Sequence, residues 1–176
     1  MDVDRILEHF RFLPFRQAVW LFPLATALHF LEEAPHFASW ASKHAWASHT
    51  RARWARIHGA GMVYAIAFSA LVSLFPNRYI VFSFFALCFA ESIFNFSFHA
   101  GATAIFGVYC PGLITALVLY PPLFWYLSSI AYREGLLTDA LGFLAFAIAG
   151  AIHAFDVATS VFSRRCHLFQ GSESHV

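Results

Sequence analysis

Histidine and acidic side chains recur at short helical spacings within stretches that are otherwise strongly apolar. His29 is followed by Glu32 and Glu33, and His153 is followed by Asp156. At roughly 100° per residue, the first set covers about 100° of a helix surface and the second about 60°. An imidazole and a carboxylate at i and i+3 can reach one ion, and these donors suit zinc, iron or manganese. The spacing therefore predicts ligands for a divalent metal.

Two further segments carry side chains of the same kinds. Glu91, Asn95 and His99 cover about 80° of one helical face, and His58 opens a later apolar run. We predict one or two ions of zinc or iron, with ligands from His29, Glu32, His58, His99, His153 and Asp156. The predicted catalytic residues are Glu33, Glu91, Asn95 and Tyr109. We expect Glu33 or Glu91 to be the base, a supporting partner or a bridging ligand, and Tyr109 to be a hydrogen-bond donor.

The composition indicates what surrounds these groups. Of the 176 residues, 60% are hydrophobic and only 12% are charged. A soluble domain of this size cannot bury that much apolar surface, so lipid must cover part of it. The net charge of +1 gives no electrostatic footprint for a nucleic acid. The composition also excludes a disordered chain and a disulfide scaffold.

We therefore predict an all-α polytopic membrane helix bundle, folded as a single domain over residues 1–176. A membrane-spanning helix needs about 20 mostly apolar residues, and about five segments qualify: 17–34, 58–75, 79–99, 111–131 and 136–162. An amphipathic segment is expected at 1–16 and a polar tail at 164–176. Tryptophans and basic residues suit the headgroup layer, so we expect residues 35–56 to form an interfacial lid.

This topology places the polar groups at one depth. If the chain crosses the bilayer five times, each polar group lies near a helix end, and all of these helix ends fall in the same half of the bilayer. An unpaired charge at that depth costs about 2.5–3.5 kcal/mol on insertion scales. The acids must therefore be neutralised by a metal, histidinium, protons or water, and we interpret the group as a functional site.

Several of these motifs occur together in one known family. In its ordered set of motifs the chain resembles the HXXEE family of small multi-pass membrane proteins. The motifs are, in order, His29-Phe30-Leu31-Glu32-Glu33, His58, the pair Asn95 and His99, and Tyr109-Cys110-Pro111-Gly112 with Thr115. The resemblance covers about residues 20–125. It implies a membrane enzyme whose reaction is not assigned, and it does not supply His153 or Asp156.

Three functions fit these features. The first is a metal-dependent membrane enzyme, a hydrolase or an oxidoreductase, that acts on a lipid-like or apolar substrate near one membrane face. The second is a metal-free acid–base isomerase or cyclase of an isoprenoid or sterol-like lipid. The third is a proton-coupled transporter or binding subunit, because acid–histidine chains also form proton relays. The expected partners are membrane lipids and the substrate, with no nucleic acid.

The basic residues predict an orientation in the plasma (inner) membrane. Six Lys and Arg residues fall on the side of the site and five on the other, which places the site at the cytoplasmic face. We expect Ser48→Cys, in a background without other cysteines, to resist an impermeant maleimide added to intact cells. The same cysteine should react after the cells are permeabilised, whereas labelling in intact cells would reverse the orientation.

Overall fold

The computed structural model describes residues 13–46 and 49–170, with side chains up to residue 155. Apart from one π-helical turn at Ala90–Phe94, the helices are α-helices: α1 (Phe15–Ala18), α2 (Leu21–Glu33), α3 (Phe37–His44), α4 (Arg51–Leu74), α5 (Arg78–Phe89), α6 (Asn95–Phe106), α7 (Leu113–Arg133) and α8 (Asp139–Gln170). No strand occurs in this part of the chain. The all-α prediction is confirmed.

Among the described residues, three helices are long and apolar enough to cross a membrane, which indicates a membrane protein. They are Arg51–Leu74, the continuous helix Arg78–Phe106 and Leu113–Arg133. The predicted count of five is not confirmed. With 13 residues, α2 is about 20 Å long, less than the hydrocarbon thickness of about 30 Å. In α8, the apolar stretch with described side chains, Asp139–Phe155, is likewise shorter than a span.

The first predicted span, 17–34, is interrupted between α1 and α2, and Pro23 explains the break. Proline has no backbone N–H, so it cannot donate to the carbonyl four residues earlier, that of Val19. Instead, Phe22 N donates to the Val19 carbonyl oxygen at 3.1 Å in a tighter turn. The Ser69 hydroxyl donates to the same oxygen at 3.4 Å. The hydrogen bond from Ser69 connects the α1–α2 junction to α4.

Helix α4 begins at Arg51, well before the predicted start at His58. The Thr50 side chain accepts a hydrogen bond from Arg53 N at 3.2 Å and caps the helix. Two additional turns therefore precede His58. They place Trp54 on the same helical face as His58, because residues four apart are neighbours on a helix.

The helix from Arg78 to Phe106 contains the π-helical turn Ala90–Phe94. This turn carries Glu91 and leads directly into Asn95, so it controls how both side chains face the bundle. Helix α8 approaches it closely at Gly150, where a Cβ atom would lie 3.0 Å from the Phe94 ring.

Two apolar clusters hold the helices on either side of the polar groups. One joins residues of α1, α2, α4, α5, α7 and α8, and the other joins α3 and α6 to the loop before α7. Along α2, Phe22 belongs to the first cluster, and the residues 29–33 follow it toward the second. The polar site thus lies between two packed layers.

The predicted flanking segments are partly described. Residues 1–12 of the predicted N-terminal segment and 171–176 of the predicted tail lie outside the described residues. The predicted lid, 35–56, contains α3 and the first turns of α4, while 47–48 are not described.

Candidate metal centre

The carboxylate of Glu33 lies at the centre of a buried group of imidazoles. Its Oε1 lies 3.4 Å from His29 Nε2 and 3.1 Å from His99 Nε2. Its Oε2 lies 2.5 Å from His58 Nε2 and accepts a hydrogen bond from Trp54 Nε1 at 3.1 Å. We call His29, Glu33, His58 and His99 the His–Glu cluster. Helices α2, α4 and α6 each contribute to it.

Two of the imidazoles are oriented by hydrogen bonds at Nδ1. His58 Nδ1 donates to the carbonyl oxygen of Trp54, 2.9 Å away. Thr115 Oγ1 donates its one hydrogen to Glu32 Oε2 at 2.5 Å, so it accepts from His29 Nδ1 at 2.9 Å. With the hydrogen on Nδ1, the neutral form of each ring presents a lone pair at Nε2.

His99 is fully buried and also has a partner at Nδ1. Its Nδ1 lies 3.2 Å from Cys110 Sγ, which leaves Nε2 facing Glu33. That nitrogen makes no hydrogen bond in the described part of the chain, although Glu33 Oε1 is 3.1 Å away. The two atoms are therefore in close contact but poorly aligned for a hydrogen bond. A cation between the two atoms would satisfy both.

The spacing of the cluster suits one ion. The ligand atoms of His29, Glu33 and His99 all lie within 4.8 Å of one another, and these residues are buried. A tetrahedral site with bonds of about 2.0–2.1 Å has its ligand atoms about 3.4 Å apart. Glu33 Oε1 lies 3.4 Å from His29 Nε2 and 3.1 Å from His99 Nε2, which agrees with that separation. His58, on the other carboxylate oxygen, is the nearest fourth donor.

Glu32 faces away from the cluster, toward the start of α7. It accepts hydrogen bonds from the backbone N–H groups of Gly112, Ile114 and Thr115 at 2.8–3.2 Å, and from the hydroxyls of Thr115 and Tyr109. The N-terminus of a helix favours a negative charge, and these five donors fix Glu32 as a carboxylate. The predicted ligand Glu32 thus caps α7, and it is linked to His29 through the Thr115 hydroxyl.

The loop between α6 and α7 closes over the cluster. Gly112 has φ +101°, and a Cβ atom there would lie 2.7 Å from His99, 2.8 Å from His29 and 2.9 Å from Glu33. Glycine is therefore required by both the backbone conformation and the space. The loop touches the imidazoles with its backbone at this point.

Two side chains of this loop stay protonated. Burial and the hydrogen bond to Glu32 raise the pKa of Tyr109 to about 12, so its hydroxyl remains a donor. Burial, followed by the charges of Glu33 and Glu32, raises the pKa of Cys110 to about 12. A neutral thiol is a poor nucleophile, so Cys110 serves as a packing partner of His99.

The predicted catalytic pair Glu91 and Asn95 lies behind His29. Asn95 Nδ2 donates to His29 Nε2 at 3.0 Å and to Glu91 Oε2 at 3.3 Å. The amide therefore competes for the lone pair that a metal would use. Tyr120, which is fully buried, packs against the His29 ring at 5.2 Å between centroids.

The sequence predicts His153 and Asp156 as a second ligand pair. The ring of His153 stacks on Phe94, with centroids 5.2 Å apart, and His153 is not in the group of close ligand atoms found among the described residues. The side chain of Asp156 lies outside the described residues. The structure thus brings together His29, His58 and His99 with Glu33.

Sequence reasoning missed Trp54 as a partner of Glu33. A signal is present, because Trp54 precedes His58 by four residues, which puts both on one helical face. The signal is ambiguous because tryptophans and arginines near position 50 also fit a membrane interface.

One comparison with known proteins gives a match. The profile of the family described as "Protein of unknown function with HXXEE motif" matches residues 20–127. No curated protein and no solved structure matches the chain.

We expect Gly112→Ala to displace the loop, because the added Cβ meets three side chains of the cluster. The measurement is maleimide labelling of Cys110, which is fully buried, in detergent-purified protein whose Cys88 and Cys166 are replaced by serine. The parent should be protected and Gly112→Ala should be labelled.

Gly107→Ala is the matched control. Gly107 lies in the same loop and also has a positive φ, +62°, but a Cβ atom there meets nothing within 4 Å. Cys110 should stay protected in this variant. Equal protection in both variants would mean that the loop does not depend on the close approach at Gly112.

Proposed function

Because the chain belongs to the HXXEE family, whose function is unknown, we propose from its own geometry that it is a metal-dependent membrane enzyme acting on a lipid-like or apolar substrate. One observation carries the proposal. Three imidazoles, each held at Nδ1, turn Nε2 toward the single carboxylate of Glu33. Histidines that bind metals typically donate their other N–H to a protein partner in this way.

In this proposal His29, Glu33 and His99 are the ligands of one divalent ion. His58 is either the fourth ligand or, at 2.5 Å from Glu33 Oε2, the group that holds a proton on the carboxylate. Glu32 supports the site through Thr115 and His29. Asn95 must release His29 Nε2 when the ion binds.

The donor set is compatible with two kinds of chemistry. Two histidines and one glutamate with an open position occur in zinc hydrolases, and a 2-His-1-carboxylate set occurs in non-haem iron oxygenases. A bound zinc ion would supply Lewis-acid activation of water, and iron would supply redox chemistry. The identity of the bound metal therefore decides between hydrolase and oxidoreductase.

The surface of the chain supports a lipid-like substrate. Large apolar side chains are exposed on the helices around the cluster, among them Leu31 at 69%, Val63 at 68% and Trp125 at 76%. In a membrane these faces contact lipid tails. A substrate dissolved in the bilayer would approach the site laterally, without crossing water.

A metal-free acid–base enzyme is the second candidate, and one contact favours it. His58 Nδ1 carries a hydrogen, yet His58 Nε2 lies 2.5 Å from Glu33 Oε2, so one proton must lie between them. A proton shared by an acid and an imidazole is poised for transfer to and from a substrate.

The first test is the metal content of protein purified in detergent without chelators, measured by mass spectrometry for zinc, iron and manganese. We expect about one ion per chain in the wild type, and near-complete loss in His29→Ala and His99→Ala, because each removes a ligand from a three-residue set. Both variants should still insert into the membrane.

His153→Ala is the control for the loss of an imidazole outside the cluster and should retain the ion. Loss of metal in His153→Ala, with retention in His99→Ala, would contradict the proposed ligands. A wild type that stays metal-free after incubation with each ion, but is active, would leave the acid–base enzyme as the function.

A second test separates the two neighbouring glutamates. Glu33→Gln removes a charged ligand oxygen and should abolish binding. Glu32→Gln leaves the proposed ligands in place, but it weakens the support of His29 and the cap on α7, and it should weaken affinity about 10–100-fold. Titration with zinc against a chelating indicator measures both, and the reverse order of effects would make Glu32 the ligand.

A further inference from the structure

An open groove of about 400 Å³ lies on the surface beside the His–Glu cluster. One wall comes from the segment around α3 and the other from the loop before α7. The residues that line it include His36, Ser39, Trp40, Lys43, Tyr109 and Pro111. Most of these side chains can donate hydrogen bonds.

The loop that walls the groove is also the loop that covers the cluster. Tyr109 and Pro111 line the groove, whereas Cys110 and Gly112, which alternate with them, contact His99. The groove is therefore separated from the proposed ligands by one thickness of backbone. A molecule held there lies next to the metal position.

The charges at the groove favour an anion. Lys43 is exposed and forms no ion pair with any residue in the described part of the chain. Glu32, also at the groove, already accepts five hydrogen bonds from the start of α7 and from Tyr109. Glu32 keeps its negative charge, but these donors occupy its oxygens, and Lys43 with His36 remains to bind a negative group.

An apolar path leads to the groove along the outer face of α2. Leu24, Leu28 and Leu31 are 57%, 45% and 69% exposed, and their i, i+4, i+7 spacing forms one stripe. The stripe ends beside Glu32, at the edge of the groove. A molecule with a polar head and an apolar tail matches this sequence of surfaces.

We propose that the groove binds the phosphate-bearing headgroup of an amphiphilic substrate, with Lys43 and His36 on the phosphate and the tail along the leucine stripe. The inference rests on the proposed function and names the substrate class for it. The headgroup would lie outside the loop that covers the cluster, with the tail on the outer face of α2.

The experiment uses the full chain in phosphatidylcholine nanodiscs and calorimetric titration with dihexanoyl phosphatidic acid. Dihexanoyl phosphatidylcholine and inorganic phosphate are the comparison ligands. We expect Lys43→Gln to bind the phosphatidic acid about tenfold more weakly, as expected for the loss of one charge-assisted contact. Arg51→Gln, which removes the same charge from an exposed position outside the groove, should bind like the wild type.

The comparison ligands test both parts of the proposal. Equal weakening in Lys43→Gln and Arg51→Gln, or no binding, would overturn the headgroup site. Phosphatidylcholine binding as tightly as phosphatidic acid would overturn the need for an exposed anion. Inorganic phosphate binding equally well would overturn the amphiphile and indicate a soluble phosphate ligand.

Metal content measured on the same samples separates this inference from the proposed function. Lys43→Gln should keep its metal, because Lys43 lies outside the His–Glu cluster. Lys43-dependent binding in a protein without metal would support the headgroup site and contradict the metal enzyme. Metal without Lys43-dependent binding would overturn only the groove.

Discussion

The structure around the site depends on the burial of Glu33. Its side chain is 2% exposed and meets three imidazoles and one indole N–H. A carboxylate removed from water carries a desolvation penalty of several kcal/mol unless positive charge or hydrogen bonds compensate. Trp54 supplies one ordinary hydrogen bond, which is not enough. The remaining compensation must come from a metal ion, from protons on the imidazoles or from a proton on the carboxyl group itself.

Because the charge of Glu33 needs compensation, several neighbouring groups hold the imidazoles in position around it. The Trp54 carbonyl, the Thr115 hydroxyl and the Cys110 sulfur each orient one imidazole. Glu32 orients Thr115 in turn, and Gly112 lets the loop approach closely. Ligands held from behind lose little entropy when an ion binds, which favours affinity and a defined geometry.

Adjacent residues on α2 have separate tasks because a helix turns about 100° per residue. Glu33 faces the imidazoles, and Glu32 faces the N-terminus of α7, where backbone N–H groups stabilise its charge. The pair thereby links the buried cluster to the exposed groove. A displacement of the loop that covers the cluster would change the contacts of both carboxylates, because Gly112 lies against each of them.

The sequence alone determined the helical class, the apolar character, and most of the residues that gather at the site. Spacing along one helix fixes which side chains share a face, so the helical period alone groups His29 with Glu33 and Asn95 with His99. It does not fix which neighbouring helix that face meets. The tertiary structure decided that Glu33 meets the imidazoles, that Glu32 caps α7, and that His153 stacks on Phe94. It also revealed the break that Pro23 causes and the π-helical turn at Ala90–Phe94, because both depart from the regular period on which a sequence prediction relies.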